Sequence, residues 1–185
     1  GSVPKWVYRN LTQAHTTVLE INPEVVSVAR GYFQVPADDE RFAVWVGDGA
    51  QHVADHPASC DVLMLDGYDE QCQVESLATT EFYGHCRAAL KPGGMLVVNL
   101  WSSDKGFNQC VQRLFDAFDG LVLCLPAGDR SNVIALAFDR SPNMPKWDDL
   151  RDRARELEQQ YGLEFPRFVS DMRKLNLHNA RRLLI

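Results

Sequence analysis

Cysteine is sparse in this sequence and is never paired at the spacing that zinc sites and redox motifs use. The 185 residues include five cysteines, at positions 60, 72, 86, 110 and 124, and no Cys-x-x-Cys. An odd number without short spacing indicates neither a disulfide framework nor a zinc site. We therefore expect reduced cysteines that pack as small apolar side chains. The five histidines show no ligand spacing either, so no metal is expected.

The sequence also contains no long apolar run and no excess of positive charge, and we expect no signal peptide. No segment reaches the roughly 20 apolar residues that a transmembrane helix needs, and the formal net charge is -6. We therefore expect a cytoplasmic protein with neither a membrane nor a nucleic acid as its main partner. Several basic residues near the C-terminus are expected to form a solvated helix face rather than a binding patch. They are Arg167, Arg173, Lys174, Arg181 and Arg182.

What the sequence does contain is a regular alternation of β-rich runs and helical patterns. Strands are predicted at 17–21, 42–46, 62–65, 95–100, 121–125 and 132–138. Helices are predicted at 23–33, 50–55, 79–90, 106–118 and 147–161, with another after Pro166. Asn22 is expected to cap the first of these helices, Lys91–Gly94 to stop the third and Gly162 to end the fifth. This order predicts a Rossmann-like, doubly wound α/β fold with a mostly parallel sheet. The connection Pro126–Ser131 is too short for a crossover helix, so the last two strands should form an antiparallel hairpin at one edge.

Three carboxylates, those of Glu20, Asp48 and Asp66, lie at the ends of predicted strands. The carboxyl ends of strands in such a sheet face the ligand crevice, so we expect all three acids at one crevice. A carboxylate before a helix can accept hydrogen bonds from both hydroxyls of a ribose. Glu20 fits that role, or it simply ends its strand or caps the next helix. Asp48 stands between Gly47 and Gly49, which permit close backbone approach to a ligand, although a simple Gly-Asp-Gly turn is the alternative.

Asp66 has a second acid nearby. It follows the apolar run Val62–Leu65, and Asp69 comes three residues later. The two acids are either a catalytic pair at the mouth of a site or the polar turn that ends a buried strand.

Four segments, taken in order, resemble the polyamine aminopropyltransferases, the spermidine synthase family. They are VLEINPEVVSVARGYF, VWVGDGAQHV, CDVLMLDGYDE and TTEFYGHCRAALKPGGMLVVNL. LKPGG is common among methyltransferases, whereas Asp-x-x-Asp followed after nine residues by TTEFY is more specific. The resemblance covers about 1–140 and implies the fold of class I S-adenosylmethionine-dependent methyltransferases. Residues 1–140 would form the nucleoside-binding domain, and 141–185 a helical extension packed on it.

The resemblance implies a role for each acid and its neighbour. Glu20 would hold the ribose hydroxyls of the nucleoside, and Ile21 would pack on the adenine. Asp48 would accept the adenine amino group, with Gly49 beside it. Asp66 would contact the co-substrate and take a proton from the attacking amine.

The resemblance also implies the substrates. The co-substrate would be decarboxylated S-adenosylmethionine or S-adenosylmethionine, and the acceptor a small amine such as putrescine. Asp69 would bind the cationic amine. Tyr68 would stack on a ligand, supply a hydroxyl or only cover the loop. The family commonly forms dimers, so a homodimer is expected.

The chain departs from the family pattern at its beginning and in the catalytic loop. If Gly1 is the last glycine of the family's Gly-Gly-Gly-Asp-Gly-Gly loop, Ser2 replaces the acid that would hold the donor's ammonium. If Gly1-Ser2 is a cloning scar, the loop is absent. The first strand and the small N-terminal β domain of the family are also missing, so we expect a longer polypeptide or a fragment. Gly67 stands where the family has Ser or Thr, which should loosen the loop.

The sequence thus predicts a spermidine-synthase-like aminopropyltransferase, with two alternatives. Ser2 favours a methyltransferase that uses S-adenosylmethionine. The missing strand favours a divergent homologue without catalytic activity.

Overall fold

The computed structural model describes residues 1–67, 77–127 and 131–185. The chain divides into two compact units, unit 1 (Gly1–Asp55) and unit 2 (His56–Ile185). The elements of unit 1 are α1 (Ser2–Asn10), β1 (Thr16–Glu20), α2 (Pro23–Tyr32), β2 (Phe42–Val46) and α3 (Gly49–Asp55). Those of unit 2 are β3 (Cys60–Leu65), α4 (Thr80–Ala89), β4 (Leu90–Trp101), α5 (Phe107–Ala117), β5 (Val122–Pro126), β6 (Asn132–Phe138), α6 (Trp147–Tyr161) and α7 (Phe165–Met172). Within the described ranges, no helix has both the length and the apolar character to cross a membrane.

Unit 1 is built on a parallel pair of strands. β1 and β2 pair in a register that sets Thr16 beside Phe42 and Glu20 beside Val46. The turn into α2 follows the sequence prediction, because Asn22 is the N-cap and its side chain accepts a hydrogen bond from the Glu24 backbone N–H at 2.8 Å. The described chain begins with a helix, so no described strand precedes β1.

Aromatic packing holds α1 against the start of β2 in unit 1. The Tyr8 ring meets the buried Phe42 edge to face at 5.6 Å between centroids. The Tyr8 hydroxyl donates to Asp39, and this hydrogen bond is the main reason that the pKa of the Asp39 carboxyl is lowered. Asp39 also accepts the backbone N–H groups of Arg41 and Phe42. The acid therefore links α1 to the segment that enters β2.

Unit 2 contains a four-stranded sheet in the order β3-β4-β6-β5. β3 and β4 are parallel, whereas β6 is antiparallel to both β4 and β5. The predicted antiparallel hairpin at one edge is thus confirmed, and so is the predicted α/β class with parallel strands.

The start of β4 differs from the sequence prediction. Pro92, Gly93 and Gly94 were expected to stop α4 in a turn, with the strand beginning at Met95, but β4 already begins at Leu90. Cys60 pairs with Leu90, and the register then shifts so that Val62 pairs with Met95. The irregular stretch accommodates Gly93 at a φ of 84°, which a glycine adopts without strain. The Pro-Gly-Gly motif therefore forms a bulge inside a strand.

The core of unit 2 lies around β4 and the helices that pack near it. Alternate residues of β4, among them Leu96, Val98 and Leu100, are buried, as the two-residue period of a strand requires. Tyr83 and Cys86 of α4 are fully buried as well. Burial raises the pKa of the Cys86 thiol to about 12, so this cysteine packs as a small apolar side chain, as expected.

The C-terminal helices of unit 2 form a second apolar cluster with β5. α6 spans the predicted residues and ends at Gly162, which has a φ of 67° and suits the left-handed C-cap conformation. α7 packs on β5. The buried members of this cluster are Leu123, Trp147, Ala154, Val169 and Leu183. The predicted domain boundary at residue 140 stays a prediction.

Asn176 closes the open edge of β5, which leads to a stability prediction. Its side chain accepts from the Cys124 backbone N–H and donates to the Cys124 carbonyl, each at 2.7 Å, and also donates to the Met172 carbonyl at 2.6 Å. Asn176→Ala should lower the free energy of unfolding by about 1–3 kcal/mol, because partly buried backbone groups lose their partners. Urea unfolding measures this change.

Asn108→Ala, on an exposed position of α5, is the matched control and should change stability by less than about 0.5 kcal/mol. Equal stability of both variants would show that water replaces the Asn176 side chain without cost.

Candidate functional site

In unit 1, two of the predicted nucleoside-binding acids lie at neighbouring strand ends. Glu20 is the last residue of β1, and Asp48 follows β2 after Gly47. The Gly47 backbone N–H donates to the Glu20 carbonyl at 3.0 Å, which extends the parallel pairing to the point where both strands end. The pairing of β1 with β2 thus brings these two acids to the same edge of the sheet.

The Glu20 carboxylate is oriented by the start of α2. Its Oε1 accepts a hydrogen bond from the Asn22 backbone N–H at 2.9 Å, while Asn22 itself caps the helix. Glu20 therefore does not cap α2 in place of Asn22. One carboxylate oxygen is held by the backbone, which limits the orientations of the group and presents it at the end of the strand.

Asp48 shapes the turn between β2 and α3. Its Oδ1 accepts from the Ala50 backbone N–H at 2.8 Å, and its carbonyl accepts from the His52 N–H at 3.0 Å. Gly49 is the first residue of α3. The structural alternative, a Gly-Asp-Gly turn, is therefore present, and a ligand role for Asp48 and Gly49 stays a prediction.

The first residue of the chain lies near Glu20 in unit 1. Gly1 and Glu20 line the same cavity, together with Val18, Val25 and Val44. A Cβ on Gly1 would come within 2.7 Å of a Val35 methyl carbon, so the close approach suits glycine.

Two further predicted ligand contacts of unit 1 are open to solvent. Ser2 is exposed and begins α1. Ile21 is 69% exposed, which leaves its side chain accessible to a flat apolar ligand group.

In unit 2, Asp66 follows the end of β3 and is exposed. Its Oδ1 accepts from the Asn99 side-chain N–H at 2.9 Å, and the Asn99 side-chain oxygen Oδ1 accepts from the Asn132 side-chain N–H at 2.9 Å. Three polar side chains therefore run across β3, β4 and β6 in one hydrogen-bonded row. The grouping of Asp66 with Glu20 and Asp48 stays a prediction.

Asn99 and Asn132 were missed by the sequence analysis. Asn99 stands in the apolar run of β4, and Asn132 begins β6. The signal that identified the three acids, a polar residue near the carboxyl end of an apolar strand, also applies to Asn99.

The loop after Asp66 is described only at its start. The position that a Cβ on Gly67 would take is occupied by the Leu77 side chain, so a residue larger than glycine would require Leu77 to move. Gly67 thus allows close packing here, a role beyond the looser loop that the sequence predicts. Tyr68 and Asp69 lie outside the described residues, and their predicted roles stay predictions. No group of three or more His, Cys, Asp and Glu side chains suited to a metal occurs among residues 1–67, 77–127 and 131–185.

Sequence comparison agrees with the resemblance. Residues 3–114 match the spermine/spermidine synthase domain family. A polyamine aminopropyltransferase from Chromobacterium violaceum is 39% identical over all of this chain, which spans 71% of that protein. The predicted family is confirmed, and neither the methyltransferase nor the non-catalytic alternative is favoured.

Structural comparison supports the fold. A probable spermidine synthase from Corynebacterium glutamicum superposes with a TM-score of 0.66 at 25% identity, covering 75% of this chain and 52% of that one. Human methyltransferase-like protein 13, solved with SAH, has a TM-score of 0.77 at 22% identity over 86% of this chain and 77% of its own. The present chain thus spans about half of the solved synthase, and the predicted methyltransferase-type fold is confirmed. With residues 3–114 matched and the fold in agreement, the chain belongs to the spermine/spermidine synthase family.

Proposed function

We propose that this protein transfers an aminopropyl group from decarboxylated S-adenosylmethionine to a small amine such as putrescine. The observation that carries the proposal is the position of Asp66 at the carboxyl end of β3, with its carboxylate held by Asn99. Asp66 is the first acid of the Asp-x-x-Asp motif in a chain that is 39% identical to a polyamine aminopropyltransferase.

The donor nucleoside would be held by the strand ends of unit 1. Glu20 would accept hydrogen bonds from the ribose hydroxyls through Oε2 and the second lone pair of Oε1, since the Asn22 N–H already orients the group. Ile21 would cover the adenine, and Asp48 would accept its amino group beside Gly49. Gly1 and Ser2 would lie near the aminopropyl end of the donor.

The chemistry needs little more than alignment and a proton acceptor. The amine nitrogen attacks the propyl carbon that is bonded to the sulfonium sulfur. The new C–N bond forms while the C–S bond breaks, and the electron pair of that bond neutralises the sulfur. An ammonium cannot attack, so the nucleophile must be a neutral amine, and its surplus proton passes to Asp66.

Asn99 would act as a positioning residue for this proton transfer. Its amide donates to Oδ1 of Asp66 and is itself held by the Asn132 amide. The bond would restrict rotation of the carboxylate and leave Oδ2 to accept the proton of the amine. Asp69 would bind the second cationic nitrogen of the amine, and Tyr68 would border it. The predicted homodimer and cytoplasmic location belong to the same proposal.

Asp66→Asn separates the catalytic role from binding. It should lower kcat by about 100-fold or more, because the amide cannot accept the amine's proton, while the affinity for methylthioadenosine stays nearly unchanged. Steady-state kinetics and titration calorimetry measure the two quantities. Asp61→Asn is the control. Asp61 lies on β3, the strand that Asp66 follows, and its carboxylate pairs with the Lys91 ammonium at 2.9 Å. An equal loss of affinity and turnover in Asp66→Asn would contradict the base assignment.

Glu20→Gln tests the nucleoside site. The loss of charge-assisted hydrogen bonds to the ribose should weaken methylthioadenosine binding by about 1–3 kcal/mol. Glu24→Gln, in the first turn of α2, removes the same charge four residues away and should bind normally. Unchanged affinity in Glu20→Gln would remove Glu20 from the site.

Ligand preference tests the reaction itself. Decarboxylated S-adenosylmethionine and methylthioadenosine should raise the melting temperature more than S-adenosylmethionine does, because a ligand stabilises the fold that binds it. A preference for S-adenosylmethionine would indicate methyl transfer instead. A melting temperature that responds to none of the three would indicate a homologue without this activity.

A further inference from the structure

A small basic cavity lies between α6 and α7 in unit 2. It has a volume of about 220 Å³. Its walls include the side chains of Trp147, Arg151, Arg155, Val169, Ser170 and Arg173. Three arginine side chains therefore line this space, and among the residues that the structure describes no acidic residue lines it.

Two of these arginines come from the same face of α6. Arg151 and Arg155 are four residues apart, and like charges at this spacing on a helix are mutually unfavourable. Each is offset by an acid three residues earlier, since Arg151 lies 2.8 Å from Asp148 and Arg155 lies 2.8 Å from Asp152. Both acids are exposed, with 87% and 71% of their side chains accessible. Such surface ion pairs are weak, so an anion in the cavity can compete for both guanidinium groups.

The third arginine stands on a rigid support. The Arg173 guanidinium carbon lies 4.4 Å from the centroid of the Trp147 ring. Trp147 is only 1% exposed, and its indole N–H donates to the Asn179 carbonyl at 3.0 Å. The stacked guanidinium is therefore pre-organised, which reduces the ordering that binding requires.

The cavity is separate from the Asp66 site. α7 packs on β5, and β5 forms the edge of the four-stranded sheet opposite to β3. Asp66 follows β3, so two further strands lie between the element that carries the acid and the element that supports the cavity. A ligand here has no direct contact with the proposed proton acceptor.

We propose that this cavity binds a tetrahedral oxyanion, either inorganic phosphate or the phosphate group of a larger molecule. Guanidinium groups present paired N–H donors that match the spacing of phosphate oxygens. Ser170 adds a hydroxyl donor at the rim. Three positive charges without a lining acid suit a dianion better than a monocarboxylate. Arg173 was expected to belong to a solvated helix face, and the cavity gives it a specific function.

The test is a titration of the purified chain with inorganic phosphate, in chloride buffer at constant ionic strength. We expect saturable one-site binding by calorimetry, and a change in tryptophan fluorescence because Trp147 lies under Arg173. Arg155→Gln and Arg173→Gln should each weaken binding by about ten-fold or more, as expected for a lost bidentate contact. Arg153→Gln is the matched control, since Arg153 lies on the same helix, pairs with Glu156 at 2.7 Å and does not line the cavity.

Three outcomes would overturn the proposal. Phosphate could give no saturable signal, Arg153→Gln could weaken binding as much as Arg155→Gln does, or acetate could bind as well as phosphate. Parallel titrations with pyrophosphate and ATP identify the source of the group. Tighter binding of inorganic phosphate indicates a site for the free ion, and tighter binding of ATP indicates a phosphorylated metabolite.

Discussion

Parallel pairing of strands is the constraint on which the rest of this structure depends. In unit 1 it aligns the ends of β1 and β2. Glu20 and Asp48 therefore lie at one edge of the sheet, although they are far apart in the sequence. In unit 2 the pairing of β3 with β4 sets Leu65 beside Val98, which places Asp66 within hydrogen-bonding distance of Asn99. The carboxyl ends of parallel strands lie at the same edge of a sheet, and ligand-binding sites form at that edge.

The hydrogen-bonded row of Asp66, Asn99 and Asn132 links the packing of unit 2 to the proposed proton transfer. β4 alternates between buried apolar residues and residues of the other face, where Asn99 lies. Asn99 meets Asp66 on one side and Asn132 on the other, so its amide is held from two strands. A carboxylate that is oriented before the substrate arrives needs little reorganisation during proton transfer. One face of β4 thus packs in the core, and the other face carries Asn99, which orients Asp66.

The C-terminal helices have a different relation to the sheet. α7 and the residues after it cover β5, the antiparallel edge, and Asn176 pairs with the backbone of Cys124 there. The buried Trp147 anchors α6 in the same cluster. Because this packing is provided by a few apolar side chains, other positions of α6 and α7 are available for charged residues. The three arginines of the basic cavity lie where the two helices approach each other.

The sequence alone determined the order of elements from β1 to α7, the edge hairpin, the Asn22 cap and the end of α6 at Gly162, because all of these depend on local patterns of apolar, β-branched and turn residues. It also identified the acids, since each lies at or just beyond the end of a strand. It did not predict α1 (Ser2–Asn10). Tertiary structure alone decided that Pro92 to Gly94 form a bulge within β4, that Asn99 holds Asp66, and that Arg151, Arg155 and Arg173 share one cavity. These features arise from partners about 20 to 35 residues away along the chain, and no local pattern specifies which strand or helix a side chain will meet.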